Sequence, residues 1–165
     1  MSAQPSDSKA FRNALGQFAT GVTVITTLDA EGRKVGMTAN SFSSVSLDPM
    51  LVLWSIARTS KSFSAFVEAR QFAIHVLGAD QKALSSQFAS NCEDRFSDVP
   101  HRSGLGGIPI LDDYSAVFQC ETESRFEGGD HIIIVGRVVE FDNRGKSPLI
   151  FHAGRYADLE LPVAV

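Results

Sequence analysis

The stretch Tyr114–Phe141, YSAVFQCETESRFEGGDHIIIVGRVVEF, decides the reading of the fold. Its first half alternates in part between apolar and polar residues. Its second half is rich in Ile and Val, and Gly-Gly-Asp separates the two. Two β-prone runs around a Gly/Asp turn predict a long antiparallel hairpin. Working outward, VTVITTL (22–28), DAEG and RKVGMTA (33–39) predict a second hairpin. MLVLWSIA (50–57) reads as a buried strand and QFAIHVL (71–77) as another. PLIFHAGRY (148–156) reads as a last short strand with its turn.

Three segments carry helical spacing instead. KAFRNALGQFATG (9–21) places Phe11, Leu15 and Phe18 on one face, with Gly21 available to end the helix. SKSFSAFVEA (60–69) does so with Phe63, Phe66 and Val67. DQKALSSQFAS (80–90) does so with Leu84 and Phe88, and Asp80 is the expected cap. Residues 91–113, rich in Gly, Pro and polar side chains, read as a long irregular excursion. Excursions of that length are often functional. Strands outnumber helices, and no regular strand–helix alternation suggests a parallel sheet. The fold class is therefore mainly β (α+β), a small antiparallel barrel with a few peripheral helices. With no repeat and no linker, residues 1–165 read as one domain, residues 1–8 being loose.

Bulk properties exclude several classes. The chain has 165 residues and net charge −4, with both signs interspersed. No basic face is visible, so no nucleic-acid partner is expected. No apolar run approaches the ~20 residues of a bilayer span. MSAQPSDSKAF lacks a signal-peptide pattern, so a soluble cytoplasmic protein with no membrane partner is expected. Cys92 and Cys120 form no CxxC, HExxH is absent, and no metal is expected.

The neutral stretch GMTANSFSSVS (36–46) contains one Thr, one Asn and four Ser, and no charge. Ser41, Ser43, Ser44 and Ser46 read either as a strand edge facing water or as a wall for a ligand. Buried hydroxyls need partners, since each left unpaired costs about 1–3 kcal/mol. Uncharged hydrogen-bonding groups suit a planar heterocycle better than a phosphate or carboxylate. Downstream, RTSKSF (58–63) opens a predicted helix with hydroxyls and a cation. It reads either as an ordinary helix cap or as an anion cradle. A neutral wall and an anion cradle together fit a heterocycle that bears a phosphate.

FATGVTVITT, GMTANSFSSVSLDP, SKSF, LSSQFAS, GGDHIIIVGRVVEF and PLIFHAGRY, in this order, resemble the short-chain flavin reductases. These are the reductase partners of two-component flavin monooxygenases. The resemblance covers nearly the whole chain. It implies an antiparallel split β-barrel, a homodimer, FMN or FAD as cofactor, NADH or NADPH as reductant, and a flavin-dependent monooxygenase component as partner. It also implies roles for particular residues. Thr38, Ala39, Asn40 and Ser41 match the segment for the flavin ring and ribityl chain, which Ser43, Ser44 and Val45 continue. Ser60, Lys61 and Ser62 match the phosphate site. His131 matches the residue beside the nicotinamide, and Tyr156 lies near the flavin edge. His75 stands where the family often has Asn, and Met50 replaces a frequent second Pro.

The function implied is hydride transfer from NAD(P)H to flavin N5, chemistry that the cofactors carry. Alternatives are a flavin-binding protein without turnover and a pyridoxamine-phosphate-oxidase-like FMN enzyme. His75, flanked by Ile74 and Val76, reads as a structural histidine satisfied by a neighbour. Both cysteines read as inert. FMN against FAD and NADH against NADPH stay open.

Overall fold

The computed structural model describes residues 7–159. In chain order they form α1 (Ser8–Leu15), β1 (Thr20–Gly21), β2 (Thr23–Leu28), β3 (Lys34–Ala39) and β4 (Ser43–Leu47). Then come β5 (Met50–Ala57), α2 (Phe63–Glu68), β6 (Gln71–Val76) and α3 (Lys82–Ala89). The chain closes with β7 (His101–Ser103), β8 (Pro109–Leu111), β9 (Ala116–Gly128), β10 (His131–Asn143), β11 (Ile150–His152) and β12 (Arg155–Ala157).

The long hairpin is present: β9 pairs antiparallel with β10 from Gly128↔His131 to Ala116↔Asn143. Two register shifts, at Val135/Gly136 and Val138/Glu140, interrupt it. Such bulges bend a strand and increase its twist. The hairpin lies inside a seven-stranded sheet of order β3-β2-β6-β9-β10-β5-β4. Ile25 of β2 and Trp54 and Ile56 of β5 are separated by three intervening strands in that order, yet share one buried cluster with Phe66, Phe72 and Ile134. They meet only because the sheet curls on itself. Val35, Met37 and Ala39 of β3 pack on the same cluster. The sheet's two edge strands, β3 and β4, are joined by Asn40–Phe42 alone. They do not pair with one another, and the barrel is open at this seam.

Outside the barrel, Val22, Val24, Leu77, Phe88, Phe96 and Leu149 form a second cluster that holds α3 against the sheet. β1, β11 and β12 form a small sheet of order β1-β11-β12 beside it. His75 is fully buried between the layers. Leu111 N–H donates to its Nε2 at 3.1 Å, so Nδ1 carries the proton and donates to Val24 O at 3.0 Å. The imidazole is structural and held neutral. Burial pushes its pKa from 6.5 down to about 4.

Five expectations need correction. The first helix ends at Leu15 with Gly16 as its cap, not at Gly21. The chain must leave the helix there to pair Thr20 and Gly21 with β11. Phe11, Leu15 and Phe18 consequently stay exposed. Asp80 does not cap α3; Gln81 occupies that position, and its Oε1 accepts from Gly78 N–H at 2.8 Å. MLVLWSIA is buried on one face only, through Val52, Trp54 and Ile56. The 91–113 excursion contains the β7–β8 pair. Of the stretch expected to be loose, residues 1–6 lie outside the described residues. Asp7 caps α1, its Oδ1 accepting from Ala10 N–H at 2.9 Å, and Ser8 opens the helix. Among the described residues no helix is long and apolar enough to cross a membrane.

Candidate functional site

β3 and α3 approach closely because residue 36 is glycine. A β-carbon there would stand 2.5 Å from Phe88 Cε1 and 2.8 Å from Cδ1, closer than side chains pack. The approach lets Thr38 Oγ1 donate to Ser85 O at 2.6 Å. On the other side of Ser85, Tyr156 OH donates to its Oγ at 2.8 Å. Thr38, Ala39, Asn40, Ser85 and Tyr156 thereby wall a hollow of about 190 Å³.

Thr38 also borders a second hollow of about 320 Å³, with Thr59, Ser60, Lys61, Asn91 and Arg95 on its walls. Lys61 in turn borders a third, of about 330 Å³, which includes Ser62 and Lys34. Shared walls join the three into one groove along β3. Its middle section contains two cations, Lys61 and Arg95, and no carboxylate. Arg95 is fixed there: Nη1 donates to Gly36 O at 2.8 Å and Nε to Ser90 O at 3.0 Å. A cationic pocket of this kind attracts a phosphate, and bound cation–phosphate pairs are the stronger class of hydrogen bond.

The expected helix-tip contribution is small. α2 has only six residues, and Ser62 at its start makes no side-chain capping bond. Ser62 N–H donates to Ser60 Oγ at 3.2 Å and Phe63 N–H to Ser60 O at 3.0 Å. With those donors spent internally, the attraction for an anion comes from Lys61 and Arg95.

The structure gathers Thr38, Ala39, Asn40, Ser60, Lys61, Ser62 and Tyr156 along this groove. Ser41 sits at the seam, where its Oγ accepts from Ser55 N–H at 2.9 Å and faces Ser55 O at 3.0 Å. Its hydroxyl ties β5 to the β3–β4 connection. Ser43, Ser44 and Val45 are exposed on β4 and border none of the three hollows. A bulge between Ser44 and Ser46 breaks the simple alternation across β4. His131 begins β10 opposite Ala57 of β5. Its Nδ1 donates to the Asp130 carboxylate at 2.7 Å, and that bond holds the Asp130 pKa below its usual value. Arg58 N–H donates to Asp130 O at 2.9 Å, fastening the His131 turn to the chain just ahead of Ser60.

Sequence reasoning missed Ser85, Asn91 and Arg95. Ser85 is buried and lies within LSSQFAS, where it reads as an ordinary helical serine. Asn91 and Arg95 lie in the excursion, whose irregular composition carried a general signal of function without naming a residue. Burial pushes the Cys120 thiol up to about 12, consistent with an inert core cysteine. Among the described residues, no three His, Cys, Asp or Glu side chains stand close enough to hold a metal.

Residues 15–160 match the family described as "Flavin reductase like domain". The chain belongs to the flavin reductase family. It is 48% identical over 150 residues to "FMN reductase (NADH) SmoA" of Agrobacterium fabrum, covering 91% of this chain and 85% of that protein. It is 47% identical over 156 residues to "Probable flavin reductase" of Rhizobium meliloti, covering 94% of this chain. The match spans only 50% of that longer relative. The solved Streptomyces globisporus "NADH:FAD oxidoreductase SgcE6 in complex with NAD and FAD fragments" superposes with a TM-score of 0.90 at 33% identity, covering 97% of each chain. Further relatives are named as reductase subunits or components of flavin-dependent monooxygenases. The mainly β architecture read from the sequence is the family's architecture.

Proposed function

We propose that this flavin reductase family chain catalyses NAD(P)H-dependent reduction of FMN, FAD or riboflavin by hydride transfer to flavin N5. The observation that carries the reading is the groove along β3, which joins a neutral hydrogen-bonding wall to a pocket with two cations and no carboxylate. That donor set fits a heterocycle bearing a phosphate. When bound, the flavin supplies the hydride acceptor.

The chain's own residues bind and orient. Lys61 and Arg95 hold the phosphate, with Ser60 and Ser62 beside them. Thr38 and Tyr156 have spent their hydroxyl protons on Ser85, so each offers the ring an acceptor lone pair. Asn40 is exposed and offers both donor and acceptor. Ser43, Ser44 and Val45 extend the neutral surface across the seam. His131, its Nδ1 proton committed to Asp130, leaves Nε2 to meet the nicotinamide. Such contacts matter because hydride transfer needs the reacting atoms about 3–3.5 Å apart.

On this reading the residues 1–165 act as one split-barrel unit in the cytoplasm, assemble as a homodimer and pass reduced flavin to a monooxygenase component. The groove's open form supports release of the flavin. The relatives named as monooxygenase reductase components support the partner. Val45, Leu47 and Met50, exposed together at the β4–β5 end, support a second copy. The test follows NADH loss by absorbance with and without FMN, FAD and riboflavin. Flavin-dependent loss is expected. Bound flavin without NADH loss would instead make the chain a carrier or a pyridoxamine-phosphate-oxidase-like enzyme.

A further inference from the structure

Arg58 opens the stretch RTSKSF, yet its side chain does not join the anion pocket. It lines none of the three hollows along β3, although the next residue, Thr59, does. It turns instead to the β9–β10 hairpin. Its Nε donates to Gly129 O at 3.1 Å, and its Nη2 donates to the Glu127 carboxylate. Its backbone N–H donates to Asp130 O at 2.9 Å. A single residue just past β5 thus holds three of the four residues that precede His131.

The turn it holds has little else to fix it. β9 ends at Gly128 and β10 begins at His131, so Gly129 and Asp130 alone reverse the chain. A β-carbon on Gly129 would meet nothing within 4 Å, and the Asp130 and Glu127 side chains are 94% and 78% exposed. Exposed turns of this kind are the mobile part of a fold. His131 is tied to that turn, since its Nδ1 donates to Asp130 at 2.7 Å. The imidazole is therefore placed only as well as Asp130 is placed. On the other side, His131 pairs with Ala57, the residue before Arg58. Ser60 N–H donates to Ala57 O at 3.0 Å, so one tight turn separates the histidine's strand partner from the phosphate pocket.

We propose that Arg58 is a positioning residue for the hydride transfer: its guanidinium fixes the Gly129–Asp130 turn and thereby sets His131 against the nicotinamide. The inference rests on the flavin-reductase reading and on the part given there to His131. Arginine suits the task, because its planar fork directs donors to two acceptors at fixed angles, which a lysine ammonium does not. The ion pair with Glu127 is exposed and contributes little to stability, so the clamp acts on geometry more than on folding. The other use of Arg58, as a further cation for the flavin phosphate, would require it to leave both Gly129 and Glu127.

The test is steady-state NADH oxidation, with FMN and riboflavin titrations, on the parent protein, Arg58→Gln, His131→Ala and the double variant; thermal melts check folding. Arg58→Gln should lower kcat/KM for NADH by about three- to tenfold, the scale of a lost orienting contact. Its dissociation constants for FMN and riboflavin should stay within about twofold of the parent's, because no phosphate contact is lost. In the His131→Ala background the same substitution should cost nothing further, since residues that act as a unit are not additive. A merely structural Arg58 would not produce that non-additivity. If Arg58→Gln does not fold, Glu127→Gln takes its place with the same expectations. Additive losses overturn the proposal, as does an unchanged kcat/KM. Loss of FMN affinity with riboflavin affinity kept also overturns it and makes Arg58 a phosphate ligand. In each of these cases the flavin-reductase reading stands. His131→Ala at the parent rate removes the histidine's part and this proposal with it. A parent protein without flavin-dependent NADH oxidation overturns the reading as well.

Discussion

Tyr156 OH donates to Ser85 Oγ at 2.8 Å, across 71 residues of sequence. Through this bond the C-terminal hairpin, β11 and β12, is fastened to α3 at the point where Thr38 is also fastened. Tyr156→Phe removes the bond and leaves the ring. Ser85→Ala removes the same bond from the other side, while Thr38 keeps its partner because it bonds the Ser85 backbone. Both variants should lose about 1 kcal/mol of stability and weaken flavin binding several-fold, to a similar extent. Flavin titration with thermal melts checks this. A large effect in one variant and none in the other would show that the bond is not what positions the wall.

Lys61 is exposed and borders both the middle and the third hollow. If it holds the flavin phosphate, Lys61→Gln should weaken FMN binding by on the order of tenfold and leave riboflavin binding unchanged. Fluorescence titration with the two flavins makes the comparison directly. Equal weakening of both would place Lys61 away from the phosphate.

His131 is held by Asp130 at one ring nitrogen, leaving the other free. His131→Ala should slow NADH oxidation by about tenfold, the scale of a lost orienting contact. FMN affinity should stay within twofold. Steady-state rates set against flavin dissociation constants separate the two effects. A variant that loses flavin and keeps turnover at saturating flavin contradicts the role.

His75 makes stability depend on pH. It is neutral in the folded protein, with its pKa pushed down to about 4, whereas the unfolded chain takes up the proton near 6.5. Its contribution is therefore complete above pH 6.5. It falls as pH drops from 6.5 toward 4, and the total is roughly 3 kcal/mol. His75→Asn has no proton to take up, so its stability should change less over the same window. Urea melts between pH 7 and pH 4 test this. Parallel pH profiles for the two proteins would remove His75 as the cause.

The long-range frame was legible because its signals are local. The partly alternating run before Gly128–Asp130 and the Ile- and Val-rich run after it fix a hairpin without reference to the rest of the chain. His75 was legible because an imidazole between Ile74 and Val76 has to be buried, and a buried imidazole has to be bonded. The end of α1 was not legible, since nothing in QFATG says that Thr20 and Gly21 are claimed by β11 at the far end of the chain. The bulge at Val45 was equally hidden, because it is set by the register with β5. Thr38, Asn40 and Lys61 came from motif resemblance. Ser85, whose backbone carbonyl accepts from the Thr38 hydroxyl, and Arg95, which donates to the Gly36 carbonyl and completes the cationic pocket, act through long-range contacts that no spacing in the sequence records.

A crystal structure of the protein with FMN bound tests the central assignment most directly. The account predicts the ring against Thr38, Ala39, Asn40 and Tyr156, with its phosphate between Lys61 and Arg95. FMN seated away from β3, or lying in the groove with its phosphate remote from both cations, would contradict it.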